Sequence, residues 1–317
     1  MKKIKTICLA LALGLSVSAC SQTKTESKKE VKKIGIIQIV DHPALNTIKE
    51  NLIQTLEKDG YKDGDNIQID YQNAQGDQAN LKTIATKLAK ESDYIVAIAT
   101  PSAQAIAAET SEIPTVFSAI TDPVEAGLVD SMEKPGHNFT GTSDAVDIEK
   151  QLSIFKNINP NIKKIGLIYN AGEANSKNAV DNAKKVLAKM KIETKEATVA
   201  STNDIKQAMT SLATQVDGIY VPIDNTMASG MASVSEVAKQ YKIPVVAGAN
   251  EQVKEGGLAT YGVNQAQLGV QTAKMLEDII TGKSKTENTP VQTVSEAELY
   301  VNEDMAKALN IDPKTIK

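Results

Sequence analysis

The residues with the clearest chemical potential lie where a predicted strand passes into a predicted helix, at Thr100-Pro101-Ser102. Thr100 can cap the helix and Pro101 suits its first turn, so the free amides of that turn form an anion site. Ser118 and Thr121, at the end of the next predicted strand, can add hydroxyl donors. No arginine occurs among the 35 basic residues, so a helix terminus is the natural receptor for a carboxylate. Simple capping by Thr100 and Ser102 is an equal alternative.

A complementary group lies in the second half of the chain, where Asp224 and Asn225 follow another predicted strand and Glu173 lies in a separate loop. A carboxylate that faces an anion site across a cleft matches the charges of a zwitterion, such as an amino acid. Turn formation is the alternative for Asp224, since Asp and Asn favour bends on local grounds alone. His42, also in a predicted loop, is either a ligand donor or a cap or hinge contact.

The residue patterns of common enzymes are missing from the sequence. The two histidines, at 42 and 137, have no HExxH spacing, and no GxGxxG fingerprint occurs. Segment 282–284 lacks the earlier glycine of a phosphate-binding loop, and segment 141–145 ends in alanine where a nucleophile elbow needs glycine. We therefore predict a protein that is not an enzyme and uses no metal or cofactor. A net charge of −4 without arginine also argues against nucleic acid as a partner.

The elements that position these loops alternate regularly from Ile34 onward. Short β-branched runs alternate with amphipathic stretches of helical length, which is typical of parallel strands joined by helices. Three segments of the first half recur in the same order in the second half, at a nearly constant spacing. This repetition predicts an α/β fold with two Rossmann-like lobes, each with a parallel central sheet.

Further predicted elements after residue 264 indicate that the chain crosses between the lobes more than once, so we predict a multi-strand hinge. The first lobe is predicted at 34–142 plus 264–290, and the second lobe at 143–263 plus 291–317. Ligands of parallel α/β sheets bind beyond the carboxyl ends of the strands. A ligand cleft between the two lobes follows from this rule.

The first residues have a different character from the rest of the chain. Three lysines precede an apolar run at 7–17, which is too short for a membrane-spanning helix and predicts a signal peptide over residues 1–19. The run ends in Val17-Ser18-Ala19-Cys20, which resembles the lipobox of bacterial lipoproteins. Cleavage there would leave a lipid on Cys20; an ordinary secretory signal with an incidental cysteine is the alternative.

Residues 20–33 are polar and charged, and they predict a flexible tether behind the lipidated cysteine. Loss of the three signal lysines changes the formal charge to −7. Cys8 leaves with the signal, so no disulfide, thiol nucleophile or cysteine metal site remains. The predicted location is the extracytoplasmic face of the cell membrane, with the protein held by its lipid.

Strings at the predicted strand ends resemble the tryptophan/tyrosine-type ABC transporter substrate-binding lipoproteins, across the whole mature chain. These strings are DHPAL at 41–45, YQNAQGD at 71–77, AIATP at 97–101, TDPV at 121–124, YNAGEANS at 169–176, YVPIDNT at 220–226 and LG at 268–269. The resemblance implies the two-lobed fold of type I periplasmic binding proteins. It also implies an L-amino acid ligand, aromatic in type, that a monomer delivers to an ABC permease and its ATPase.

We expect the ligand carboxylate to lie on Thr100–Ser102 and Ser118–Thr121, and the ammonium on Asp224. The full predicted site comprises His42, Asn73, Gln75, Thr100, Ser102, Ser118, Thr121, Asn170, Glu173, Asp224 and Asn225. A sugar- or nucleoside-binding lipoprotein of the same fold is the first alternative, although a chain without Trp or Arg is poorly supplied for sugars. A ligand sensor for a membrane receptor is the second. An aromatic ligand has only 11 Tyr and Phe residues on which to stack.

Overall fold

The structure is a computed structural model that describes residues 31–294 and 297–316. The predicted signal peptide, Cys20 and the first part of the predicted tether lie outside these residues. Among the helices within the described ranges, none is both long enough and apolar enough to cross a membrane.

The first lobe is built from strands that are buried on both faces. Ile34, Ile36 and Ile37 on the first strand are fully buried, as expected when helices cover both faces of a parallel sheet. The elements in chain order are β1 (Lys32–Gln38), α1 (Pro43–Lys58), β2 (Ile67–Asn73), α2 (Gln78–Glu91), β3 (Tyr94–Ile98), α3 (Thr100–Ala107), β4 (Thr115–Ser118) and β5 (Phe139–Ser143). The strands pair in parallel in the order β5-β4-β3-β1-β2.

The second lobe repeats this topology. Its elements are α4 (Ile148–Ile158), β6 (Lys164–Asn170), α5 (Ala174–Lys189), β7 (Glu193–Val199), α6 (Thr202–Ala213), β8 (Gly218–Val221), α7 (Asn225–Ser229), α8 (Met231–Tyr241), β9 (Val245–Ala247), α9 (Asn250–Glu255) and β10 (Ala259–Gly262). The strands pair in parallel in the order β10-β9-β8-β6-β7, which is the order of the first lobe. The repeated segments in the sequence therefore correspond to equivalent strands.

The last part of the chain returns to both lobes. Helix α10 (Gln265–Ile280) packs against α1, β4 and β5, and the short strand β11 (Gln292–Thr293) pairs in parallel with β5. Strand β12 (Glu298–Val301) then pairs antiparallel with β10, and α11 (Glu303–Leu309) follows. The chain thus passes between the lobes after β5, after β10 and after β11.

The position of β11 differs from the predicted division of the chain, which placed everything after residue 290 in the second lobe. Val291 is buried in the core of the first lobe, and its amide donates to the Met132 carbonyl at 2.7 Å. The first sheet gains a sixth strand before the chain crosses. The sequence did not predict that this strand belongs to the first sheet, because its pairing with β5 uses backbone groups, which do not depend on a pattern of side chains.

Helix α10 lies unusually close to α1 at Gly269. A Cβ atom at this position would collide with the Ile48 carbonyl oxygen. Glycine is required here by the approach of the two backbones, which packs α10 against the N-terminal half of α1.

Candidate functional site

A buried cavity lies between the two lobes, beyond the carboxyl ends of their strands. The space that it leaves for the centres of water-sized spheres is about 30 Å³, so the two lobes lie close together around it. Polar residues from both lobes line it: His42, Thr100, Thr121, Asp144, Asn175, Asp224, Asn225, Glu251, Gln252, Glu255 and Gln265. Its apolar wall consists of Pro43, Ala44, Leu45, Ala99, Ala119, Ile223, Ala228 and Ala249.

Helices from both lobes begin at this cavity. They differ in whether a side chain accepts a hydrogen bond from the free backbone amides of the first turn. In the second lobe Asp224 caps α7 by accepting from the Met227 amide at 2.8 Å. Helices α1 and α3 of the first lobe begin after His42 and Ala99, with no side-chain cap and with proline in the first turn. Helix α5 of the second lobe also begins without a side-chain cap, after Glu173. Unpaired helix amides carry partial positive charge, so these helix starts favour an anion.

Two strand ends in the first lobe have strained backbones. Ala99 after β3 and Ala119 after β4 have φ values of 74° and 58°, in the left-handed region that residues other than glycine seldom occupy. Both line the cavity. Such strain costs on the order of 1–3 kcal/mol and persists where the surrounding structure enforces it, as at ligand sites.

The cavity is also acidic. The carboxyl groups of Asp144, Asp224, Glu251 and Glu255 line it, and no lysine does so among the described residues. Burial raises the pKa of Asp144 to about 6, and burial together with the neighbouring Glu173 carboxylate raises the pKa of Asp224 to about 8. Burial also raises the pKa of Glu251. A cationic group in the cavity would relieve this unfavourable burial of negative charge.

Asp144 was not among the predicted site residues. It follows β5 directly, is 2% exposed, and accepts a hydrogen bond from the Thr121 hydroxyl at 2.9 Å. Its position at the carboxyl end of a strand was the signal in the sequence that marks it.

The two carboxylates predicted in the second lobe serve largely to hold its loops. The Asp224 oxygens accept from the amides of Asn170, at 2.6 Å, and Met227, at 2.8 Å. The Glu173 oxygens accept from the amide and side chain of both Asn225 and Thr226, at 2.6–3.1 Å. Asp224 still lines the cavity, whereas Glu173 is buried behind it.

A hydrogen bond crosses the cleft between His42 of the first lobe and Asn225 of the second. His42 Nε2 lies 3.2 Å from Asn225 Oδ1, and both residues are buried. Asn225 Nδ2 donates to Glu173, so its Oδ1 accepts and the proton lies on His42 Nε2. Burial lowers the pKa of His42 to about 4, so the ring is neutral at pH 7.

The structure separates the predicted site residues into two groups. His42, Thr100, Thr121, Asp224 and Asn225 line the cavity. The others bond elsewhere: Ser118 joins a buried hydroxyl cluster with Thr142 and Thr272, Asn73 accepts from the Gln75 amide, Gln75 is exposed, and Asn170 donates to Thr226. Ser102 is buried without lining the cavity, and its hydroxyl has no hydrogen-bond partner within residues 31–294 and 297–316.

Five polar lining residues besides Asp144 were missed by the sequence prediction: Asn175, Glu251, Gln252, Glu255 and Gln265. All but Glu255 lie in the first turn of a helix that follows a predicted strand, which was the available signal. No Tyr or Phe lines the cavity, so the His42 imidazole is the aromatic ring that an enclosed ligand meets among the described residues. These residues also contain no cluster of three His, Cys, Asp or Glu side chains suited to a metal ion.

The fold and this cavity define a two-lobed binding protein, and comparison with known proteins gives its family. Residues 33–315 match the model of the ABC transporter substrate binding protein family, and the chain belongs to this family. Proteins of this kind bind solutes outside the cytoplasm and are not enzymes. The predicted family, fold class and non-enzymatic function are confirmed.

Three relatives are informative. A tyrosine-binding protein from Clostridioides difficile (strain R20291) is 44% identical over 98% of this chain and 93% of its own length. An ABC domain from Streptococcus pneumoniae, solved in complex with L-Trp, is 38% identical with a TM-score of 0.85, over 90% of this chain and 97% of that one. The ligand-free, open structure of a substrate-binding protein with adhesive properties from Clostridium difficile is 44% identical, over 89% and 96% of the two chains, but its TM-score is 0.67.

The relation between these TM-scores identifies the state of the lobes. The ligand-bound relative superposes better than the open one, although its sequence is less similar. The hydrogen bond from His42 to Asn225 and the burial of the cavity agree with this. The lobes are therefore in the closed arrangement.

Proposed function

We propose that this protein binds an L-amino acid with an aromatic side chain between its lobes and presents it to an ABC permease with its ATPase. The observation that carries the proposal is that the cavity combines uncapped helix starts, at α1 and α3, with buried carboxyl groups from both lobes. A zwitterion complements both. The tyrosine-binding and L-Trp-bound relatives support an aromatic amino acid.

The ligand carboxylate would lie at the start of α3. Thr100 lines the cavity there, the first turn has no side-chain cap, and the strained Ala99 and Ala119 flank it. Helix amides and a hydroxyl can hold a carboxylate without arginine. This keeps the carboxylate placement that the sequence suggested at Thr100, but not the hydroxyl donors expected at Ser118 and Thr121. The Ser118 hydroxyl bonds to Thr142 and Thr272, and the Thr121 hydroxyl donates to Asp144.

The ligand ammonium would lie against Asp144 and Glu251. Asp144 has the Thr121 hydroxyl as its side-chain partner, and the Glu251 Oε2 atom has no partner among the described residues. Asp224 is the ammonium partner expected from the sequence, but its carboxyl oxygens already accept hydrogen bonds from two backbone amides. It would therefore act on the ammonium only at longer range. An ammonium would restore the ionised forms that burial disfavours.

Transport would follow from closure. Ligand contacts on both lobes favour the closed state, and the permease would recognise that state. The proposal includes a monomer anchored by lipid on Cys20 at the extracytoplasmic face of the cell membrane. Replacing Cys20 with Ala should move the protein from the membrane fraction into the medium or periplasm; retention in the membrane fraction would exclude the anchor.

Isothermal titration of the purified protein with each of the twenty common amino acids tests the ligand class. We expect heat with aromatic amino acids at micromolar or tighter Kd, a binding free energy of at least about 8 kcal/mol. The absence of binding to every amino acid, by a protein that unfolds cooperatively, would exclude the proposal.

A further inference from the structure

Six residues other than glycine, among those that the structure describes, have a positive φ, and they form two groups. Four are exposed polar residues at turns or helix ends, where this conformation is common: Gln75, Lys191, Lys242 and Asn310. The other two are Ala99 and Ala119, which are 3% and 6% exposed and line the cavity. Buried strain of this kind therefore occurs at the cavity and not elsewhere in the described part of the chain.

Ala99 is the more strained of the two. Its φ of 74° is combined with a ψ of 155°, a region of backbone conformation that glycine alone occupies readily. Ala249 gives a direct comparison, because it also precedes the first turn of a helix, lines the cavity and has a ψ of 155°, but its φ is −134°. Starting a helix at the end of a strand thus does not require the strain found at Ala99.

The two strained residues are neighbours in the fold. The Ala99 amide donates to the Ser118 carbonyl at 3.0 Å, so Ala119 directly follows the residue to which Ala99 is bonded. Ala99 also precedes Thr100, at the start of α3, where the proposed function has the ligand carboxylate. The strain is therefore concentrated at one end of the cavity.

The methyl groups of these two residues are what the strain adds to the cavity. Alanine differs from glycine by one methyl group, and glycine adopts positive φ without strain. We infer that the Ala99 and Ala119 methyl groups set the size of the cavity around the ligand carboxylate, so that a planar carboxylate fits and a larger anionic group does not. Both alanines are then specificity-determining residues. The inference rests on the carboxylate position in the proposed function.

The test compares L-Tyr with its aminophosphonic analogue, in which a larger, tetrahedral phosphonate replaces the carboxylate. In isothermal titration of the wild-type protein, we expect the phosphonate to bind at least about tenfold more weakly than L-Tyr. Ala99→Gly and Ala119→Gly should each bring the ratio of the two affinities towards one, because the lost methyl group leaves room for the added oxygen. The charge of each ligand is the same in all three proteins, so a change in the ratio reports size.

The outcomes are separable. Equal affinities of the wild-type protein for the two ligands, or an unchanged ratio in both variants, would overturn the inference and leave the proposed function intact. A change in one variant alone would support that alanine and contradict the role of the other. Failure of the wild-type protein to bind L-Tyr would instead count against the proposed function.

Two control variants distinguish this effect from a general change in the cavity or in the backbone. Ala249→Gly also removes one methyl group from the cavity wall at a helix start, but in the second lobe, so it should preserve the ratio. Its backbone is unstrained, so its Tm should be lower than that of Ala99→Gly. Lys242→Gly, at an exposed residue with a φ of 51°, should leave both affinities unchanged. Should one of the two test variants unfold, the other and the wild-type ratio still decide the inference.

Discussion

Asp144 shows how one buried charge can serve binding at the expense of stability. It is 2% exposed, and burial raises its pKa from 3.8 to about 6. An acid with a raised pKa disfavours the folded cavity once it ionises. The cost is absent below about pH 4, grows as the pH rises, and is complete above pH 6. A ligand ammonium would remove it.

Asp144→Asn should therefore separate binding from stability. The amide keeps the shape and can still accept from Thr121, so we expect amino acid affinity to fall by roughly 10- to 100-fold while the Tm at pH 7.5 is maintained or raised. The gain in stability is limited to about 3 kcal/mol, since each pKa unit corresponds to about 1.4 kcal/mol. Thermal unfolding at pH 4 and pH 7.5, with titration calorimetry, would measure both quantities.

Asp122→Asn provides a matched control for that experiment. Asp122 is a partly exposed neighbour of Thr121 that does not line the cavity. It should leave affinity unchanged. An Asp144→Asn variant with unaltered affinity would show that the ammonium lies elsewhere.

Glu173 is expected to behave in the opposite way. Its carboxylate accepts four hydrogen bonds from Asn225 and Thr226. Glu173→Gln places an amide N–H₂ against these donors, so the unfolding free energy should fall by about 1–3 kcal/mol. The exposed Glu193→Gln, the control, should have the wild-type Tm. If Glu173→Gln instead lost binding at an unchanged Tm, direct contact with the ligand would be indicated.

At the scale of elements, the pair α1 and α10 positions the first-lobe side of the cavity. Gly269 allows α10 to lie against the Ile48 carbonyl, and the start of α1 places His42, Ala44 and Leu45 in the cavity wall. The helix that returns from the second lobe thereby supports the helix start that faces the ligand.

Gly269→Ala should separate these helices. The added Cβ meets backbone, which cannot rotate away, so we expect a stability loss of about 1–3 kcal/mol and weaker ligand binding as α1 shifts. Val270→Ala, on the same helix but 38% exposed, should change neither quantity. Chemical unfolding and titration calorimetry of both variants would measure the effect, and wild-type behaviour of Gly269→Ala would contradict this packing argument.

At the scale of the whole molecule, closure is linked to the protonation of His42. In the closed state, burial lowers the pKa of His42 to about 4. The hydrogen bond with Asn225 and the negative charge of Asp41 act in the opposite direction, but burial is the larger effect. Glu173 and Asp224 lie behind Asn225 on the opposing lobe. In an open, hydrated cleft the pKa returns towards 6.5. Protons therefore favour the open state between pH 6.5 and pH 4.

Ligand affinity should consequently fall as the pH is lowered below 6.5, by up to about tenfold per pH unit. His42→Gln should make this profile shallower but not flat, because protonation of Asp144, whose pKa is about 6, also weakens binding of an ammonium. His137→Gln is the natural control because His137, the other histidine, is exposed and pairs with Asp130 at 3.0 Å; its profile should match the wild type. Titrations with L-Tyr from pH 7.5 to pH 5 would measure the slope, and a flat wild-type profile would contradict the linkage.

Much of the fold could be predicted because its signals are local. Runs such as Ile34–Ile37 and their recurrence in the second half reflect burial on both faces of parallel strands, and strings at the strand ends resemble one family. Strand ends also indicate where ligands bind, so His42, Thr100 and Thr121 could be placed at the cavity. No local sequence pattern predicts that β11 joins the first sheet, because it pairs with backbone groups of β5, about 150 residues earlier in the chain.

The two lobes, the family and the loops around the cavity can be inferred from the amino-acid sequence alone. Which carboxyl groups in those loops are available to a ligand depends on the folded arrangement of the chain. Glu173 and Asp224 are engaged by amides about fifty residues away, whereas Asp144 keeps a single hydroxyl partner and faces the cavity. The type of a side chain fixes which hydrogen bonds it can donate or accept. Which of its donors and acceptors stay unsatisfied depends on partners that only the folded chain brings within hydrogen-bonding distance.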